Sequence, residues 1–334
     1  SFSSECERMK PNISAVHRLR GVAFHPSPCL VPSRVQGPLA VFVQKRGLMR
    51  PVFAFMQDSP ALNIRFRMRK ARKDYRTVLI CADVKKLVET AEELLLDGSL
   101  KKKKAFWEIF SKRTIASMHL LKALDMAMIA RAFDAHGKDT GVFASMASHL
   151  PGLAGNFTGL SLLTLVDIFS RRYRKDAGAF SLLASEVPNV MYELSAEDLI
   201  HLLHCFKKGG HADLVLCRRA ARKVMARVED LDLIAVCGAS SAFGVHRFRS
   251  LPLFSALARR ATEHAEELDS RGIFNLLFGF KETETEAPPE LLEALEENII
   301  DKIPEFPEWE LKVVTAVVSE SSARLESLRR HLKA

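Results

Sequence analysis

The chain has 334 residues, enough for two ordinary domains or one extended repeat array. Hydrophobic residues make up 48% and charged residues 27%, so most of the chain can bury a core and is not disordered. Apolar runs stop short of the roughly 18 residues that span a bilayer, and the six cysteines are scattered without a CxxC pair. Common nucleotide-binding, metalloprotease and hydrolase motifs do not occur. We therefore predict a binding or structural protein, not an enzyme, with no cofactor and no small-molecule substrate.

The N-terminal third carries the positive charge. Residues 1–113 have a net charge of +13 and residues 114–334 a net charge of −4. Seven of the 14 prolines lie in the first 60 residues, and eight Lys and Arg but no acid occur between Arg8 and Gln57. Proline opposes helices, and this composition is typical of mitochondrial transit peptides. We predict a basic, Pro-rich N-terminal extension over 1–82, retained or cleaved, and a location in the mitochondrial matrix.

Two basic runs follow and are candidate RNA-binding sites. Seven cations within 12 residues repel one another unless anions such as phosphates neutralise them, and Phe66 and Tyr75 lie among them. The alternative is a solvated charge run. The first run comprises Arg65, Arg67, Arg69, Lys70, Arg72, Lys73 and Arg76, and the second, expected in a loop between helices, comprises Lys101, Lys102, Lys103 and Lys104.

An internal repeat of 37 residues dominates the rest of the chain. Three series of apolar positions share this period, of which the clearest is a phenylalanine series, Phe133, Phe169, Phe206, Phe243 and Phe280. A second series of small residues is Ala147, Ala184, Ala221 and Ala258, continued by Leu295. Such a period is typical of stacked helix pairs that bury a shared core.

Each unit contains two helical patterns. Leu199, Leu202, Leu203 and Phe206 recur at the spacing of one helix face, a capping-box pattern begins at Ser195, and a second apolar pattern follows a turn. Residues 83–119 form a degenerate first unit and 306–334 a closing half-unit. We predict an all-α fold, an α-solenoid of about six helix-turn-helix repeats over 83–334, with one extended concave face.

Polar positions of the repeats give weaker RNA-binding candidates, for which ordinary solubility is the alternative. Cations recur in the turns within units and after the small residue of the second helix. They are Arg171, Arg172, Arg174, Lys175, Lys207, Lys208, Arg222, Lys223, Arg247, Arg249, Arg259 and Arg260. His201, His204 and Cys205 invite a metal site, but no second ligand pair is evident and a structural zinc ion needs four ligands. We predict no metal.

The period, the paired helices and the small residue in the second helix resemble the heptatricopeptide-repeat proteins, relatives of the octotricopeptide-repeat and FAST-kinase-like proteins of organelles. The segment Pro304–Trp309 is similar to the Pro–Glu–Trp signature of the octotricopeptide class. The resemblance implies organellar RNA work. We expect an RNA-binding structural component of a mitochondrial ribonucleoprotein, foremost the mitochondrial ribosome, with rRNA and neighbouring proteins as partners. Alternatives are a free RNA-processing or stability factor that binds single-stranded RNA, and a scaffold subunit of a respiratory assembly.

Overall fold

The computed structural model describes residues 75–96, 104–138, 141–174, 176–322 and 325–332. They belong to one compact unit, Lys73–Ala334. These residues form fifteen α-helices and no strand, which confirms the predicted all-α solenoid. The helices are α1 (Tyr75–Ile80), α2 (Val84–Leu96), α3 (Lys104–Ala116), α4 (Ala123–Ala135), α5 (Val142–His149), α6 (Gly159–Arg172), α7 (Ala177–Val190), α8 (Ala196–Lys208), α9 (Leu214–Met225), α10 (Leu233–Val245), α11 (Leu251–Thr262), α12 (Ser270–Glu282), α13 (Pro289–Lys302), α14 (Glu308–Glu320) and α15 (Glu326–His331).

The helices from α2 onward follow one another as seven pairs, in which even-numbered helices are the first and odd-numbered helices the second members. The described residues thus hold one pair more than expected, because the short helix α15 completes the predicted closing half-unit. Helix α1 lies within the predicted extension, yet it packs against α3. The packed helical unit therefore begins before residue 83.

Aspartate and serine side chains start several of the helices. Ser195 and Asp198 form the predicted capping box of α8, in which each side chain accepts a backbone N–H of the other residue. Asp213, Asp232 and Asp269 accept first-turn N–H groups of α9, α10 and α12. These bonds satisfy donors that have no partner within a helix. The same local chemistry thus fixes where these helices of several units begin.

The predicted anchors form the core between the two helix layers. The five phenylalanines of the 37-residue series are at most 1% exposed, and the matching positions of the second helices are at most 7% exposed. The aromatic rings also meet across units; Phe180 of α7 packs edge-on against Phe206 of α8. Burial of these apolar side chains between stacked pairs is the main stabilising contribution in such an array.

First helices of neighbouring units pack against one another more extensively than second helices do. The first helices therefore form one layer of this unit, here called the first-helix face. The second helices, including α9 and α11, form the opposite layer, here called the second-helix face. This placement decides which face presents each candidate cation.

Helices α10 and α12 make the closest approach of the array, and two glycines allow it. A Cβ atom added to Gly279 would lie 2.1 Å from the hydroxyl oxygen of Ser240 and 2.3 Å from its carbonyl oxygen. One added to Gly244 would lie 2.8 Å from the Cα of Gly279. The Ser240 hydroxyl donates a hydrogen bond of 2.7 Å to the Leu276 carbonyl in this contact. Small residues therefore set the spacing of these two first helices.

Candidate nucleic-acid interface

Much of the predicted basic surface lies outside the described residues. This holds for Arg65, Arg67, Arg69, Lys70, Arg72 and Lys73, for Lys101, Lys102 and Lys103, and for Lys175. Arg76 lies on α1, but its side chain is likewise outside the described part. Lys104 starts α3, where its side chain is 92% exposed and lies 3.9 Å from Glu108. RNA binding by these two runs stays a prediction.

Arg171 and Arg172, at the end of α6, are bound by carboxylates. Arg171 contacts Asp134 at 2.6 Å and Asp167 at 2.7 Å, while Arg172 Nε contacts the other oxygen of Asp134 at 2.6 Å. Asp134 belongs to α4, one unit earlier, and its side chain is only 12% exposed. Charge-assisted bonds of this kind are strong when they are shielded from water. These two arginines therefore link α4 to α6, and their guanidinium groups are less available to bind a phosphate.

Arg172 also takes part in a bond that recurs along the first helices. Its Nη2 donates to the backbone carbonyl of Asp134 at 2.9 Å. His136 and His246 occupy the matching place in their units, and each contacts a carbonyl of the preceding first helix, Leu94 at 3.1 Å and Leu203 at 2.8 Å. A backbone carbonyl oxygen has two lone pairs, so it can accept a bond from the next unit as well as one within its own helix. This position thus serves to join neighbouring units.

Three exposed arginines lie on α9 without an acidic partner. Arg218, Arg219 and Arg222 are exposed, and none forms an ion pair with another described residue. Residues three or four apart on a helix are neighbours, and like charges at that spacing repel each other. Lys223, next in sequence, instead donates to the Met191 carbonyl at 2.7 Å. The three arginines form a cationic surface on the second-helix face, here called the α9 arginine patch, that favours an anionic ligand.

The α9 arginine patch was only partly predicted. Arg222 belongs to the pair of residues after the small position of the repeat, whereas Arg218 and Arg219 precede that position. The run from Arg218 to Lys223 has four cations and no acid. This composition was the sequence signal that could have identified the whole patch. On α11 the equivalent cations are neutralised: Arg259 pairs with Glu229, and Arg260 pairs with Glu263 at 3.0 Å.

The cations of the turns differ in their availability. Lys207 and Lys208 end α8, and they form no ion pair with a described residue. Arg249 is exposed and likewise lacks an ion pair among the described residues, and Arg247 is 81% exposed with Glu282 at 3.6 Å. The Arg174 Nε donates to the Ser170 carbonyl at 2.6 Å. The fourth pair, α8 and α9, thus carries the largest set of available cations in the described repeats.

A polar cluster joins the first helices α6 and α8. The Asp167 Oδ1 lies 3.2 Å from the His201 Nε2, and the Cys205 Sγ lies 3.5 Å from that nitrogen. Burial opposes ionisation of Asp167, but hydrogen bonds to His201 and Arg171 hold the pKa of its carboxyl well below the usual range. Burial alone would lower the pKa of His201, but hydrogen bonds to Asp167 and Cys205 raise it to about 10.

The sequence grouping of His201, His204 and Cys205 is therefore only partly reproduced. His204 turns away, and its Nε2–H donates to the Gly238 carbonyl at 3.1 Å. Asp167 takes its place beside His201 and Cys205, so that three side chains able to bind a metal converge. Asp167 stands two residues before Phe169, as His204 stands two before Phe206. Asp167 and His204 thus share a position in the repeat, but that register alone does not show that Asp167 meets His201.

The fold and these surfaces define an α-helical repeat protein with an unneutralised cationic patch. Residues 82–331 match the family described as RNA-editing substrate-binding complex 6 protein, RESC6. The match covers about three quarters of the chain, and the chain belongs to this family. It begins just before α2 and ends with α15, so it includes all seven helix pairs. No curated protein matches the chain. Among the described helices, none is both long and apolar enough to cross a membrane.

Proposed function

We propose that this protein is a non-catalytic, RNA-binding subunit of an assembly that processes RNA, in keeping with the RNA-editing substrate-binding complex in the name of its family. Its helical array gives RNA and neighbouring proteins a long surface. The single observation that carries RNA contact is the α9 arginine patch. The family match favours the RNA-processing alternative over a ribosomal component, because the name refers to RNA editing.

The balance of charge in the repeats supports contact at this patch. Cations elsewhere in the array, such as Arg171, Arg172 and Arg259, already have carboxylate partners. Phosphates would neutralise Arg218, Arg219 and Arg222, and the counterions released from the RNA would add to the affinity. Arginine suits this role because its guanidinium donates two parallel hydrogen bonds to one phosphate. Such contacts hold RNA with little preference for its sequence.

The basic N-terminal region is the second part of the proposed RNA surface. Its composition, rich in arginine and free of acids over much of its length, also supports a mitochondrial location. In this proposal the region from Arg65 to Arg76 provides sequence-independent affinity, and the repeats position the RNA. The protein performs no reaction itself; it holds RNA for other subunits.

The test is the salt dependence of binding to a single-stranded RNA by the full chain. The triple variant Arg218→Gln, Arg219→Gln and Arg222→Gln should bind more weakly and flatten the plot of log affinity against log salt by about 2 units, at about 0.7 per phosphate contact. The variant should keep the helical circular dichroism of the unaltered protein, because these side chains are exposed.

A matched triple variant separates the patch from net charge. Arg227, Arg259 and Lys312 are surface cations that pair with carboxylates, and their change to Gln removes the same charge. We expect this control to change affinity much less than the patch variant does. Equal losses in both variants would show that RNA responds to overall charge only, and no loss in the patch variant would overturn the proposed interface.

A further inference from the structure

The cluster of Asp167, His201 and Cys205 between α6 and α8 has the spacing of a metal site. The Asp167 Oδ1, the His201 Nε2 and the Cys205 Sγ face one another at 3.2, 3.5 and 3.9 Å. Zinc binds oxygen and nitrogen at about 2.0–2.2 Å and thiolate sulfur at about 2.3 Å in a tetrahedron, which places the ligand atoms about 3.3–3.6 Å apart. The separations of 3.2 and 3.5 Å agree with these edges to about 0.1 Å, and the sulfur–oxygen separation of 3.9 Å is about 0.3 Å longer.

The other oxygen of Asp167 is already occupied in a way that suits this role. Arg171 binds Oδ2 at 2.7 Å, which leaves Oδ1 toward His201 and Cys205. Arg171 is itself held by Asp134 at 2.6 Å. Carboxylates that bind metals are commonly oriented by such outer hydrogen bonds. The arrangement therefore fixes the carboxylate without using the atom that a cation needs.

The three side chains differ in burial: the thiol is covered, and the other two are partly open to water. Cys205 is 1% exposed, so its thiol lies at the base of the cluster. The side chain of His201 is 50% exposed and that of Asp167 is 32% exposed, so water reaches the cluster past these two side chains. Sites with three protein ligands and one open position are a familiar zinc arrangement.

We propose that Asp167, His201 and Cys205 bind one Zn²⁺ ion, with the fourth position open to solvent on the first-helix face. The ligands come from two neighbouring first helices, so the ion would join the third and fourth helix pairs. A mixed oxygen, nitrogen and sulfur set suits zinc better than magnesium or calcium, which prefer oxygen ligands alone. This proposal does not depend on RNA binding and concerns the opposite face from the α9 arginine patch.

The test is zinc stoichiometry and affinity in the full chain after chelation and dialysis, by elemental analysis and competition with a chromogenic chelator. We expect one Zn²⁺ per chain, and at least tenfold weaker binding in Cys205→Ser and in His201→Gln. Cobalt in place of zinc should show tetrahedral absorption with a thiolate band that Cys205→Ser removes. Added zinc should raise the melting temperature of the unaltered protein but not that of the variants, because it binds the folded state.

Cys81→Ser with His119→Gln is the matched control, because both side chains are exposed and lie outside the cluster. It should retain the site. The His201→Gln variant, whose side chain is half exposed, keeps the test usable if removal of the buried thiol unfolds the protein. Unchanged zinc binding in His201→Gln, equal loss in the control, or no zinc bound at micromolar concentrations would overturn the proposal.

Discussion

His201 and His204 are less than one helical turn apart on α8, yet they bond to opposite neighbours. The His201 Nε2 lies 3.2 Å from Asp167 of the preceding pair, and the His204 Nε2–H donates to the Gly238 carbonyl of the following pair at 3.1 Å. The first is an ion pair and the second a partly buried contact of a neutral imidazole. Hydrogen bonds to Asp167 and Cys205 overcome burial and raise the pKa of His201 to about 10, whereas burial, with repulsion from Lys208, lowers that of His204 to about 4.

This contrast predicts loss of stability in acid. An unfolded histidine has a pKa near 6.5, so between pH 6.5 and about 4 the unfolded chain binds the proton that folded His204 excludes. The free energy of unfolding should therefore fall as the pH falls through this window, by at most about 1.4 kcal/mol per pH unit from this group. Urea denaturation of metal-free protein at several pH values measures it.

The variant His204→Gln should reduce this fall in the free energy of unfolding at acid pH. The glutamine amide can still donate to the Gly238 carbonyl, but it does not titrate. His201 acts in the other direction. Since its pKa is raised, its stabilising effect is complete below pH 6.5 and is lost as the pH rises toward 10, and His201→Gln should remove that alkaline loss. If the free energy of unfolding of His204→Gln falls as steeply between pH 6.5 and 4 as that of the unaltered protein, other groups determine the loss of stability in acid.

The close approach of α10 and α12 predicts different outcomes for two glycines. In Gly279→Ala the new methyl would overlap the backbone of Ser240 at 2.3 Å, so the helices must separate, at a cost of about 1–3 kcal/mol. In Gly238→Ala the methyl meets only Ile200, at an ordinary 3.6 Å, and this helix should be unchanged or up to about 1 kcal/mol more stable. Thermal and urea denaturation compare the two. Equal effects would contradict the observed helix spacing.

The anchor phenylalanines carry the third prediction. Phe206 is fully buried and packs against Phe180 and His211. Replacement by Ala should destabilise the protein by about 3–5 kcal/mol through the cavity left between stacked pairs. The exposed Tyr192, at 81% exposure, is a matched aromatic control, and Tyr192→Ala should change the free energy of unfolding by less than about 0.5 kcal/mol. An unchanged melting temperature in Phe206→Ala would show that this position is not an anchor.

The solenoid could be predicted because its signals are local and repeated. The phenylalanine series and the capping residues at Ser195 and Asp198 report burial and helix starts within one unit, so they can be recognised without knowledge of the contacts between units. The completed last pair was missed, because α15 has only six residues and too few turns to show a periodic pattern.

The polar contacts between units were not predictable in the same way. Arg171 and Arg172 read as a basic turn, but their partner Asp134 lies 37 and 38 residues earlier. Asp167 approaches His201 across 34 residues. Only the stacking of helices one unit apart brings these groups together, and side-chain direction then decides which pair forms. Sequence periodicity gives the register of these positions but does not determine which of several charges in that register meet.

The last prediction compares the two proposed RNA surfaces in one experiment. If about five cations of the N-terminal run contact single-stranded RNA, log affinity should fall with log salt at a slope near −3.5 from this region. Changing Arg67, Arg69, Arg72 and Arg76 to Gln should flatten the slope by about 2.8 units, compared with about 2 for the α9 arginine patch variant. The combined variant should show the sum of both changes, because additive effects are expected of independent sites. If only the α9 variant weakens binding, the repeats alone hold the RNA and the N-terminal run serves another purpose, such as import. If neither variant changes affinity, a protein scaffold becomes the better interpretation of the array.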